Sequence, residues 1–263
     1  MYSKEIQDKI FEKYSATGCI SPLFNVALEK TSQARGMNEG LDGNQSFKSY
    51  EQGIKNSIAE AYVAFVDIYQ FSKKIAEKSI DEVQACLNAY YKSIIPIVKK
   101  FDGQIDKIIG DGIVVVFSEA FNLTYPKGAG KSCFEFCKKC VETLDGEECA
   151  VKAAIGSGEL FFAKTIIENA YEEYSCIGHP MTVAFRLENE AQKNQILIFK
   201  EDPVNENESC NFKWTYETEV FELKGIGSVE TRIYEYNAKQ ESAAEETFLD
   251  YLFRTKGDGG YAK

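Results

Sequence analysis

Two aspartates in this sequence stand where a carboxylate contributes nothing to packing. Asp67 sits near the end of the apolar run Ala61-Tyr-Val-Ala-Phe-Val-Asp67-Ile, and Asp111 lies between Gly110 and Gly112, in a turn joining two apolar segments. An acid in a turn is by itself an ordinary turn residue. Two acids at the ends of neighbouring strands are a different matter. Paired carboxylates in that setting hold Mg²⁺ or Mn²⁺, and the phosphate oxygens of a substrate fill the remaining positions.

Other arrangements that could carry chemistry fail on their spacing. Cys133, Cys137 and Cys140 fall at i, i+4 and i+7, on one helix face, but a zinc cluster needs a fourth ligand and the sequence holds a single histidine, His179. They read as reduced thiols on an apolar face. The lone histidine also excludes histidine-based triads and zinc hydrolysis. Gly128-Ala-Gly130-Lys131-Ser132 resembles the end of a phosphate-binding loop, yet Tyr125 occupies the position of its first glycine, so it reads as a loop and helix start. Asn207-Glu-Ser209 matches a glycosylation acceptor, which means little in a cytosolic chain.

The elements that must position the two acids are legible from periodicity. Ala61 to Ile68 reads as a buried strand, and Phe71 to Lys100 as a long helical pattern broken near Ser79, with Val83, Leu87, Tyr90, Tyr91, Ile94 and Ile97 on one face. Gln104 to Ile109 and Ile113 to Phe117 form a hairpin across the Gly110-Asp111-Gly112 turn. A helix from about Lys131 to Leu144 follows, then strands at Ala150 to Phe162 and Tyr174 to Ile177, a helix from Met181 to Glu190, and a strand at Gln195 to Phe199. A second hairpin, Tyr216 to Lys224 and Val229 to Tyr236, closes the domain. The order β-α-β-β-α-β predicts an α+β fold, a ferredoxin-like antiparallel sheet with helices on one face. Residues 1–59 read as an N-terminal extension with a helical pattern over 3–14, residues 60–237 as the core domain, and 238–263 as an acidic C-terminal tail.

A chain of 263 residues with 44% apolar side chains can bury a large core. Its net charge of −11 argues against nucleic-acid or anionic-membrane partners, while small anionic substrates stay possible where metals or local cations act. No run of about eighteen apolar residues is present and Met1 to Ile20 is rich in charge, so a cytoplasmic location is expected.

Four spaced motifs then carry a specific resemblance. Val63-Ala-Phe-Val-Asp67-Ile-Tyr-Gln-Phe71-Ser72, Phe101 to Phe117, Tyr174-Ser-Cys-Ile-Gly178-His-Pro-Met-Thr182-Val-Ala-Phe-Arg186-Leu-Glu188 and Glu222-Leu-Lys224-Gly-Ile-Gly-Ser-Val-Glu230 resemble, in order, the catalytic domain of class III nucleotidyl cyclases. The resemblance implies that the ribose 3′-hydroxyl of a nucleoside triphosphate attacks its own α-phosphorus and expels pyrophosphate. By family position, Asp67, Asp111 and the carbonyl of Ile68 would hold two Mn²⁺ or Mg²⁺ ions, and the backbone amides of Tyr69, Gln70, Phe71 and Ser72 would face the phosphates. Lys152 and Lys224 take phosphate-contacting positions, and Arg186 the position that stabilises charge on the α-phosphoryl group. The family works as dimers with sites between protomers, which implies a homodimer in which Lys107 and Asp111 serve opposite sites.

Departures from the family pattern bear on the substrate. Lys107 and Ser175 occupy the base-reading positions, a pair that matches neither the adenine nor the guanine readers. Thr182 replaces the asparagine that orients the ribose, and Tyr69-Gln70 replace a small residue and glycine. This layout resembles the bacterial anti-phage pyrimidine cyclases, which implies a uridylate or cytidylate cyclase. UTP is favoured over CTP, because a lysine and hydroxyls donate to uracil carbonyls. The resemblance further implies a separate effector responsive to the cyclic nucleotide. Two alternatives remain: an adenylate cyclase with a relaxed base pocket, and a degenerate nucleotide-binding or regulatory domain.

Overall fold

The computed structural model describes residues 57–120, 128–146, 148–167, 171–202 and 214–238. The helix expected over 3–14, the polar stretch before Ser57, the Asn207-Glu-Ser209 motif and the tail beyond 238 lie outside the described residues.

The chain opens with strand β1, Ser57–Ile68, followed by a short helix α1, Phe71–Ile75, and a long helix α2, Ile80–Lys100. The break between the helices is chemically encoded. Ser79 is the N-cap of α2: its hydroxyl accepts from the Glu82 amide at 3.3 Å, while the Glu82 carboxylate accepts from the Ser79 amide at 2.8 Å. Lys99 and Lys100 close the other end, where cations oppose the helix dipole.

Strands β2, Gln104–Ile109, and β3, Gly112–Phe117, form the expected hairpin. Helix α3, Ala129–Leu144, leads into the long strand β4, Val151–Ile167, and then β5, Tyr171–Ile177. Helix α4, His179–Glu190, and strands β6, Gln195–Phe199, β7, Trp214–Leu223, and β8, Gly227–Tyr236, complete the domain. The eight strands form one sheet in the order β2-β3-β1-β4-β6-β8-β7, with β5 paired to β4.

The α+β fold agrees with the sequence reading, with two differences in detail. The sheet is mixed, because β6 pairs parallel to β4 through Ala153 to Ile155. The helices also occupy both faces. α2 and α3 bury Tyr90, Ile94, Phe134, Cys137 and Cys140 against Ala64, Val66, Val115 and Phe117. α4 packs Met181 and Ala184 among Val63, Phe65, Val114 and Val116 on the other side. That close approach depends on Gly156: a Cβ there would stand 2.2 Å from the Pro180 carbonyl oxygen. Cys133, Cys137 and Cys140 are fully buried in the core under α3, as the apolar-face reading required, and burial pushes the Cys133 and Cys140 thiols up.

Candidate active site

β1 and β4 pair antiparallel over twelve residues, and this register sets Asp67 directly across from Lys152 and Ile68 across from Val151. On its other edge β1 pairs with β3, Val66 facing Ile113, which brings the Gly110-Asp111-Gly112 turn beside Asp67. Gly112 is required by this proximity. A Cβ at that position would stand 2.5 Å from the Phe65 ring and 3.3 Å from Asp67 Oδ1.

Two neighbouring tyrosines of α2 fix the backbone on both sides of the pair. The Tyr90 hydroxyl donates to the Val66 carbonyl at 3.1 Å, and the Tyr91 hydroxyl donates to the Gly110 carbonyl at 2.6 Å. Each bond falls on the residue that precedes an aspartate. Burial first, then the charges of Tyr91, Cys140, Asp67 and Asp111, push the Tyr90 phenol well up, so it stays a donor.

The electrostatics at Asp67 are those of crowded carboxylates. Burial, the Asp111 charge and the Glu188 charge push its carboxyl up to about 8. Glu188 enters from α4, is 5% exposed, and takes the Lys152 ammonium at 2.8 Å on its carboxylate and 3.0 Å on its own main-chain carbonyl. Three carboxylates therefore face one lysine. The cluster is locally negative, because Lys152 is already ion-paired with Glu188. This donor set fits a divalent cation, since hard oxygen ligands that cannot all ionise together lose that conflict when a cation arrives. Among the described residues no three His, Cys, Asp or Glu side chains are placed to hold a metal ion together, so a cation on the Asp67–Asp111 pair would draw its other ligands from substrate, water and backbone oxygens.

The remaining expected site residues fall into distinct places. Tyr69, Gln70, Phe71 and Ser72 run from β1 into α1. The Tyr69 amide is committed to the Ala150 carbonyl at 2.9 Å, which removes one of the four amides expected to face phosphates. Gln70 adopts φ 54 and ψ 34, the left-handed conformation that suits the family's glycine.

Lys107 faces Val114 in the β2–β3 pairing, just after a bulge that sets Asp106 beside it, with 3.4 Å between ammonium and carboxylate. Asp106 is 2% exposed and acts on Cys176, whose thiol it helps burial to raise. Cys176 adjoins Ser175 and also feels the Lys107 charge, so Lys107 and Ser175 lie in the same neighbourhood. Thr182 and Arg186 lie one turn apart on α4. Lys224 is exposed in the turn between β7 and β8, next to the Phe199 end of β6, whereas Lys152 lies near the Gln195 end. One chain thus gathers Asp67, Asp111 and Lys152, and leaves Lys224 at the far end of the sheet.

Reading the sequence missed Glu188, Asp106 and the tyrosine pair as site residues. Glu188 had a usable signal: it shares the apolar side of α4 with Met181 and Ala184, at i, i+3 and i+7, where a charge demands a partner.

Residues 54–236 match the adenylate and guanylate cyclase catalytic domain. The chain belongs to this family. A cytidylate cyclase from Staphylococcus aureus is 29% identical over 160 residues, covering 56% of this chain and 38% of that protein, so the chain matches well under half of that relative's length. The cyclase fold recurs in solved structures at low identity. An adenylyl cyclase from P. aeruginosa superposes with a TM-score of 0.58 at 19% identity, covering 70% of this chain and 97% of that one. A dimeric guanylyl cyclase domain from Blastocladiella emersonii gives 0.55 at 17% identity, covering 67% and 97%.

Proposed function

We propose that this cyclase converts a pyrimidine nucleoside triphosphate to its 3′,5′-cyclic monophosphate and pyrophosphate. The observation that carries the reading is the convergence of Asp67 and Asp111 at the end of β1, with Lys152 across the sheet from Asp67. In the reaction the ribose 3′-oxygen bonds to the α-phosphorus, the bond to the β-phosphate oxygen breaks, and the hydroxyl proton is lost. Asp67, Asp111 and the Ile68 carbonyl would hold two Mg²⁺ or Mn²⁺ ions, which supply the charge that acidifies the 3′-hydroxyl and neutralises the triphosphate. Amides of Gln70, Phe71 and Ser72, with Lys152 and Lys224, would orient the phosphates. Arg186 would meet the charge that develops on the α-phosphoryl group, and Thr182 the ribose.

The site is shared between two copies. Asp67, Asp111 and Lys152 of one chain would face Lys107, Ser175, Thr182, Arg186 and Lys224 of the other. Support comes from a row of exposed apolar side chains on three adjacent strands, Ile58, Phe161 and Ile177, which the β1–β4 and β4–β5 registers set side by side.

For the base, Lys107 and Ser175 alone favour uracil. The cytidylate cyclase relative points to cytosine instead, so CTP takes precedence over UTP. The proposed setting is antiviral signalling in the cytoplasm through a separate effector that binds the cyclic nucleotide. Incubation with each of the four ribonucleoside triphosphates and Mn²⁺, with products resolved by chromatography, tests the reading. Cyclic CMP as main product is expected; dominant cyclic AMP would establish a relaxed adenylate cyclase, and no product from any of them a degenerate binding domain.

A further inference from the structure

Arg186 and Glu188 stand two residues apart on α4, a step of about 200° around the helix, so their side chains leave it in nearly opposite directions. Glu188 is turned into its own chain. Its carboxylate and its main-chain carbonyl both accept from Lys152, and it lies within charge and hydrogen-bonding range of Asp67.

Lys152 needs such a hold. It is the cross-strand neighbour of Asp67, and a lysine free to swing would pair with that aspartate and compete with any divalent cation for it. Two acceptors on one residue of a packed helix fix the ammonium instead. The pair is nearly buried, with side chains 14% and 7% exposed, so the geometry is held by packing as well as by charge.

We infer that Glu188 is a positioning residue of the metal half-site: it holds Lys152 clear of Asp67, and it serves a different active site from Arg186, its neighbour on the same helix. The inference rests on the shared-site reading given above.

Mixed dimers separate the two. One chain carries Asp67→Ala and so contributes only Arg186; its partner carries Arg186→Ala and contributes only the aspartates; the mixture holds one complete site. Glu188→Gln is then placed in either chain. Placed with Arg186→Ala, it should lower turnover at least tenfold more than when placed with Asp67→Ala, and Lys152→Gln should follow the same order. Glu188→Asp in the same chain should restore part of the loss. In the otherwise unmodified homodimer, Glu188→Gln should weaken Mn²⁺ binding, followed by the electron paramagnetic resonance of free Mn²⁺. Equal loss from both placements, or the reverse order, overturns the assignment. An inactive parent mixture overturns the shared site itself, and with it this inference.

Discussion

Tyr91 donates a 2.6 Å hydrogen bond to the carbonyl of Gly110, the residue before Asp111. Tyr90, next along α2, does the same for Val66, the residue before Asp67. One helical step therefore spaces the two aspartates. Tyr91→Phe should cost about 1–2 kcal/mol of stability, seen as a lower Tm, because the Gly110 carbonyl loses its partner. If Asp111 holds metal as proposed, it should also reduce kcat more than it raises KM for the nucleotide. An unchanged kcat in a folded variant would remove the tyrosines from the site.

Replacing either aspartate tests the site most directly. Asp67→Ala and Asp111→Ala should each abolish cyclic nucleotide formation, a loss of at least about a hundredfold, while the elution volume in size-exclusion chromatography stays that of the unmodified protein. Asp67→Asn should in addition raise the Tm at pH 8 without metal, because it removes a crowded negative charge from beside Asp111 and Glu188.

The pH dependence follows from the same crowding. In the folded chain the Asp67 carboxyl titrates near 8, against 3.8 for an ordinary aspartate. Its protonated form contributes stability that is complete below the ordinary value and lost as pH rises through about 8. The metal-free protein should therefore melt at lower temperature as pH is raised from 5 to 8. Divalent metal has to displace that proton, so Mn²⁺ affinity should climb about tenfold per pH unit up to 8 and level off above it. Calorimetry in two buffers of different ionisation enthalpy would count the proton released. Pairing of Lys152 with Glu188 does not alter the sign, because that lysine is engaged elsewhere.

Gln70 occupies a left-handed conformation that an ordinary side chain adopts only at a cost of about 1–2 kcal/mol. Gln70→Gly should raise the Tm, by the equivalent of about 1 kcal/mol. It also removes the bond that the Gln70 amide donates to the Tyr69 hydroxyl at 2.9 Å. If bulk at Tyr69-Gln70 shapes the pocket, the same variant will broaden the range of triphosphates accepted, read in a four-nucleotide product assay.

Gly112→Ala should lower both Tm and activity, because the new Cβ would force the buried Phe65 ring to shift and would stand 3.3 Å from Asp67 Oδ1. Comparing kcat with Tm separates the two effects.

Much of the fold was readable because it is local. The Ser79-x-x-Glu82 signature stopped one helix and started the next, and Gln195 to Phe199 formed the strand its apolar run predicted. β1 begins four residues before the expected Ala61, since Ser57 to Glu60 become strand by pairing with Glu159 to Phe162, far along the chain. The face chosen by α4 was hidden for the same reason: periodicity gives a helix an apolar side, not the side of the sheet it meets. Of the site, Asp67 and Asp111 declared themselves by lacking a packing role. Asp106 did not, because only a bulge in β2 turns it toward Lys107, and alternation along a strand predicts the opposite face.

The β1–β4 register also sets when the site comes into being. Asp67 and Lys152 meet only after the chain has closed over α1, α2, the β2–β3 hairpin and α3, and Glu188 arrives later still, on α4. Contacts of such long sequence separation form late, because loop-closure entropy is spent before they return anything. A partly synthesised or partly folded chain lacks the constellation altogether, so catalytic competence arrives with the finished sheet and not before it.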